Sequence, residues 1–240
     1  MSLKISHRSP VVWNCIFFCL SSFLFLYLQK VSTNFSSILN SALLKTFVSS
    51  NLVYIALLIC STLSFYKLKK VSKLLFILLT AFTLVLSVFF LWESFSKVVL
   101  VLLFLYLISS VYLYQFLEIE LNESFYNALY SKNDLKQENA VKLRVSLKQK
   151  DKTVAGELTN WSSEGFFTRL VEESAIKTGQ VSGEVEYANK KFYFEGRIVA
   201  KLHKNGFGVK IKHIKYEDAF NWDSLIQILN DKGYIPRMII

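Results

Sequence analysis

The sequence predicts a two-part fold: four membrane-spanning helices, then a small six-stranded antiparallel barrel with a C-terminal helix. Three observations predict it. The 240 residues are 52% hydrophobic with a mean hydropathy of +0.35, too apolar for an ordinary soluble domain. The apolar residues concentrate before about residue 118, and the first 119 residues hold only two acidic side chains, Glu93 and Glu118. All eight glycines lie at or after Gly156, and Pro10 is the only breaker before that point. A long glycine-free stretch suits uninterrupted helices, whereas a glycine-punctuated one suits short strands and tight turns. The expected organisation is a transmembrane region over 1–117, a juxtamembrane helix or linker over 118–138, and a barrel domain with its final helix over 139–240.

Four apolar runs, near 11–29, 48–66, 74–93 and 97–117, approach the roughly 20 residues that a hydrocarbon core requires. Trp13, Tyr27, Tyr66, Trp92 and Tyr114 stand near their ends, as interfacial aromatics do. Lys4 and Arg8 precede the first run, as in a signal peptide. The run is long for one and no clean small-x-small site follows it, so a retained helix is expected. The less apolar segment 30–47 reads as a loop with a short surface helix.

Lysine and arginine set the expected orientation. Lys4 and Arg8 mark the N-terminal side, and Lys67-Leu68-Lys69-Lys70-Val71-Ser72-Lys73 holds four lysines. The 30–47 connection has only Lys30 and Lys45, and the 93–97 turn has one charge of each sign. With four spans, both termini are cytoplasmic. No ionisable side chain lies in the middle of a run, where an ion pathway would need one, so the region reads as an anchor and contact surface.

Net charge is +10, of which +7 falls in residues 1–119. The excess therefore belongs mainly to membrane-flanking loops, and no basic stripe suggests a nucleic-acid polymer as partner. Cys15 and Cys19, four apart, and Cys60 all lie in apolar runs and read as packing residues rather than metal ligands. His203 and His213 have no metal partner at useful spacing.

Residues 118–138 look like a helix continuing the fourth span, with Phe125 and Leu129 on one face. From 142 the period changes to two: Leu143, Val145 and Leu147 alternate with polar residues. Further strands are expected at 152–159, 165–171, 180–188, 191–203 and 206–214, with turns at Asn189-Lys190 and Lys204-Asn205-Gly206. Six short strands in so few residues imply a small barrel. Asp218 or Asn221 would cap the last helix, Phe220, Leu225, Ile228 and Leu229 would mark its face, and Gly233 would end it.

The stretch TNWSSEGFF, residues 159–167, now carries more than a turn. With Arg144-Val145-Ser146-Leu147 before it and the glycine-turn-strand ending after it, it resembles a PilZ domain over about residues 138–232. Members of that family are six-stranded barrels that bind the bacterial second messenger cyclic di-GMP. Their pattern is R-x-x-x-R at the edge of the first strand, then D/N-x-S-x-x-G. Asn160, Ser162 and Gly165 match the second motif completely. Arg144 takes the second arginine's position, while Ala140 stands where the first would be and Lys136 and Lys142 are the nearest cations. The resemblance makes Arg144, Asn160, Ser162 and Gly165 the ligand residues, with Lys142 and Trp161 as further candidates.

The chemistry agrees with those residue types. Guanine O6 and N7 are paired acceptors for a guanidinium, and the two phosphates want cations. Asn and Ser complete hydrogen bonds to a base edge or phosphate. Gly permits positive φ or close backbone approach.

The resemblance implies a membrane-anchored cyclic di-GMP receptor in a bacterial inner membrane, regulating motility, adhesion or polysaccharide export. No cofactor is expected beyond that regulatory ligand. Expected partners are the bilayer and a membrane protein or a second copy of the chain. The alternative, favoured by Ala140, is a ligand-independent scaffold subunit of a membrane complex. No catalytic triad, phosphate loop or zinc pattern suggests an enzyme, and Glu172-Glu173 is an adjacent pair whose side chains diverge.

Overall fold

A computed structural model describes residues 4–34, 37–68, 71–93, 95–126, 143–150, 152–171, 176–202, 205–212 and 220–234. The chain forms two units: Ser9–Leu121, and Met1–Arg8 together with Asn122–Ile240.

The first unit is helical. Helix α1 (Pro10–Thr33) starts at Ser9, whose hydroxyl accepts from the Val12 amide, with Pro10 in the first turn where its missing N–H costs nothing. Then come α2 (Ser41–Ser50), α3 (Leu52–Tyr66), α4 (Val71–Glu93) and α5 (Lys97–Asn122). Among the described residues, α1, α4 and α5 are long and apolar enough to cross a membrane. The second expected run, 48–66, is instead divided between α2 and α3, which meet at an 82° bend and make a fourth span only if counted together. Helix α3 alone has 15 residues, which at ~1.5 Å each falls short of a ~30 Å core. Asn51 sits at the break, where its side-chain amide donates to the Phe47 carbonyl at 2.8 Å and so closes α2.

The interior of this unit follows helical spacing. Cys15, Cys19, Ser22 and Leu26 face inward from α1, Tyr54, Leu58, Ser61 and Phe65 from α3, and Phe76, Leu79, Thr83 and Phe90 from α4. Small serine, cysteine and threonine side chains on these faces allow close helix approach without glycine. The Ser22 and Tyr54 hydroxyls lie 2.7 Å apart. Large apolar residues such as Phe17, Phe89 and Phe104 point outward, as a hydrocarbon solvent favours.

The second unit is a closed antiparallel barrel of six strands: β2 (Arg144–Gln149), β3 (Lys152–Ser162), β4 (Gly165–Leu170), β5 (Gln180–Tyr187), β6 (Lys190–Leu202) and β7 (Gly206–Ile211). The order is β6-β5-β2-β3-β4-β7, and the β6–β7 pairing closes it. A two-residue strand β1 (Lys4–Ile5) adds to β6 opposite Lys201 and Ala200. Inward residues alternate along each strand and join α6 (Trp222–Asp231) in one core that includes Val145, Leu147, Phe166, Phe194, Phe207, Trp222, Leu225 and Leu229. Asn221 caps α6 by accepting from the Ser224 amide at 2.9 Å, and Gly233 follows with φ +75°. Asp218 lies outside the described residues.

Three local expectations differ. The expected helix over 118–138 gives way after Asn122 to a 3₁₀ turn, Ser124–Tyr126, and Leu129 lies outside the described residues. The turn between β5 and β6 is Ala188-Asn189 rather than Asn189-Lys190; both residues have positive φ, 51° and 60°, as a two-residue hairpin requires. Strand β3 runs three residues beyond 159, so Asn160, Trp161 and Ser162 are strand residues and only Ser163-Glu164 turn the chain.

Candidate functional site

The β3–β4 hairpin gathers the motif residues. Ser162 pairs with Gly165 across the two-residue turn, Trp161 with Phe166 and Asn160 with Phe167. A bulge between Leu158 and Asn160 shifts the register just before the motif, re-aiming the side chains that follow. Asn160 is buried at 6% exposure. Trp161 is buried in the barrel core, and its indole Nε1 donates to the Tyr234 carbonyl at 3.1 Å. Its ring is thus engaged by the core and the segment after α6.

Ser162 and Gly165 meet the 3₁₀ turn that follows α5. The Ser162 hydroxyl donates to Glu123 Oε2 at 3.2 Å and lies 2.9 Å from the Ser124 hydroxyl. Ser124 Oγ in turn donates to the Gly165 carbonyl at 2.7 Å. Gly165 has no positive φ; its role is close approach. A Cβ there would collide with the Val209 carbonyl oxygen and come within 2.9 Å of the Phe125 ring.

Arg144 opens β2, adjacent to β3, with an exposed side chain. Across the ladder its register partners are Glu157 on β3 and Glu186 on β5, which share its face of the sheet. Lys142, Ala140 and Lys136 lie outside the described residues, so of the first motif the structure describes Arg144 alone.

Sequence reasoning missed Trp222. Its indole Nε1 donates to the carbonyls of both Ser162 and Ser163, at 3.2 and 3.1 Å, and pins the hairpin turn to α6. The signal available was only a tryptophan beside a capping Asn221. A groove of about 460 Å³ lies on the outer face of β2, β5 and β6, lined by Lys148, Tyr193 and Phe220 among others, and includes none of the motif residues.

No protein-family model matches this chain, and no curated protein matches it in sequence.

Proposed function

We propose that the protein is a membrane-anchored receptor of PilZ type for cyclic di-GMP, regulating a membrane process such as motility, adhesion or polysaccharide export. The observation that carries the reading is the placement of N-x-S-x-x-G. Asn160, Ser162 and Gly165 occupy the β3–β4 hairpin of a closed six-stranded barrel, and Arg144 begins the strand beside it. A guanidinium, an amide and a hydroxyl suit a guanine edge and a phosphate. The helical unit is the anchor in a bacterial inner membrane, with both termini cytoplasmic. The lysine asymmetry between 67–73 and 30–47 supports that orientation.

Membranes bearing the full chain should capture labelled cyclic di-GMP. Arg144→Ala and Asn160→Ala should each lower capture at least tenfold, on the order of one lost charge-assisted contact. Capture that is unchanged in both variants contradicts the proposed site.

One observation favours a second reading, a ligand-independent scaffold. Glu157 and Glu186 flank Arg144 and oppose an anionic ligand, and Ala140 replaces the first arginine. That reading predicts a membrane partner retained equally by the wild type and an Arg144→Ala/Asn160→Ala double variant in pull-downs.

A further inference from the structure

The outer face of β4 and β7 is rich in glycine, with Gly165, Gly206 and Gly208 all on it. Gly165 and Phe167 on β4 stand in register with Lys210 and Gly208 on β7, so all four share one face. Phe167 is buried yet lies outside the barrel core cluster. Gly165 and Gly208 leave a floor of bare backbone beside it. Val199 and Ala200, at the bulge of β6, form a separate small cluster with Phe125 and Tyr126. A groove thus runs across β4, β7 and β6, and the segment Glu123–Tyr126 fills it.

The fit is close at Glu123, Ser124 and Phe125. The Phe125 carbonyl lies where a Cβ on Gly208 would project, and its ring lies 2.9 Å from the corresponding point on Gly165. The Phe125 side chain is 1% exposed, and the Lys210 ammonium sits 5.6 Å from its ring centroid. Ser124 bonds to the Gly165 carbonyl and contacts the Ser162 hydroxyl, and Glu123 accepts from that hydroxyl. Ser162 has one hydroxyl proton, and its acceptors here are all within the chain. The Glu123 carboxylate places a negative charge against the hydroxyl that a phosphate or guanine would have to meet.

We propose that this glycine-floored groove is a binding site for the chain's own Glu123–Tyr126 segment, and that this segment and cyclic di-GMP exclude one another at Ser162 and Gly165. The inference rests on the receptor reading above. Glu123 directly follows α5 and is the one residue between it and the 3₁₀ turn, so the same segment ties the last membrane helix to the barrel. Ligand entry displaces the strap and frees that connection. The second messenger would thereby be read as release of a tether.

The test uses the purified full chain in detergent micelles, titrated with cyclic di-GMP alongside hydrogen exchange of residues 123–126. Two variants loosen the strap and leave Arg144, Asn160, Ser162 and Gly165 unsubstituted. Glu123→Gln removes the opposing charge, and Gly208→Ala places a methyl group against the Phe125 carbonyl. Each is expected to bind at least about threefold more tightly than wild type, and ligand is expected to raise exchange at 123–126 in the wild type. Binding by the variants alone, with none by the wild type, supports the proposal equally. Wild type and both variants binding alike, with exchange at 123–126 unchanged by ligand, overturns the strap and leaves the receptor reading standing. No binding by any of the three overturns both.

Discussion

Two indoles hold the motif hairpin from below. Trp161 reaches Tyr234 and Trp222 reaches the Ser162 and Ser163 carbonyls, so the turn is fixed by partners far along the chain. Trp222→Phe keeps an aromatic ring against Phe166 and Phe194 but removes the donor. Denaturant unfolding of the full chain should show a loss of about 1 kcal/mol; unchanged stability would mean the indole N–H contributes nothing. Gly165→Ala drives a methyl group into the Val209 carbonyl and should cost roughly 1–3 kcal/mol by the same assay. Around Arg144 the balance is electrostatic. Glu186→Gln removes one flanking carboxylate and should tighten cyclic di-GMP binding by about twofold to fivefold, the scale of an exposed pair; weaker binding would contradict the assigned role of Arg144. Asn160, Ser162 and Gly165 were legible because their spacing is local. Trp222 was not, because its contact spans 60 residues and leaves no period in the sequence.

At the scale of elements, alternation made the strands legible. Each barrel strand buries every second residue against one core, so a period of two survives in the sequence. Strand β1 was not legible, because two residues carry no period and it forms only by pairing with distant Ala200 and Lys201. The 3₁₀ turn at Ser124–Tyr126 was hidden for a related reason. Phe125 and Leu129 have helical spacing, but Phe125 is claimed by the groove on β4 and β7, and tertiary contact overrides local preference. Hydrophobicity alone located the helical runs but could not reveal the bend at Asn51. The proposed orientation has its own check. With Cys15, Cys19 and Cys60 replaced by serine, Ser37→Cys between α1 and α2 should react with a membrane-impermeant maleimide in intact cells, and Lys67→Cys between α3 and α4 should not. The reverse pattern would invert the topology.

For the whole molecule, the two units differ in what they expose. The helical unit leaves large apolar side chains such as Phe17, Phe89 and Phe104 exposed and buries small polar ones such as Ser22, Ser61 and Thr83 beside its inner aromatics, while the barrel encloses an aromatic core. Within the barrel unit Glu123 and Ser124 bond to Ser162 and Gly165, so the proposed ligand residues and the proposed strap overlap there. That overlap could not be read from the motif alone, since N-x-S-x-x-G names the residues and not their neighbour. Calorimetric titration of the purified chain with cyclic di-GMP decides whether the barrel is a receptor. A receptor gives a saturable heat that Arg144→Ala abolishes. Absence of heat up to about 1 mM ligand from the wild type and from Glu123→Gln alike, equivalent to roughly −4 kcal/mol or weaker, would contradict the receptor reading.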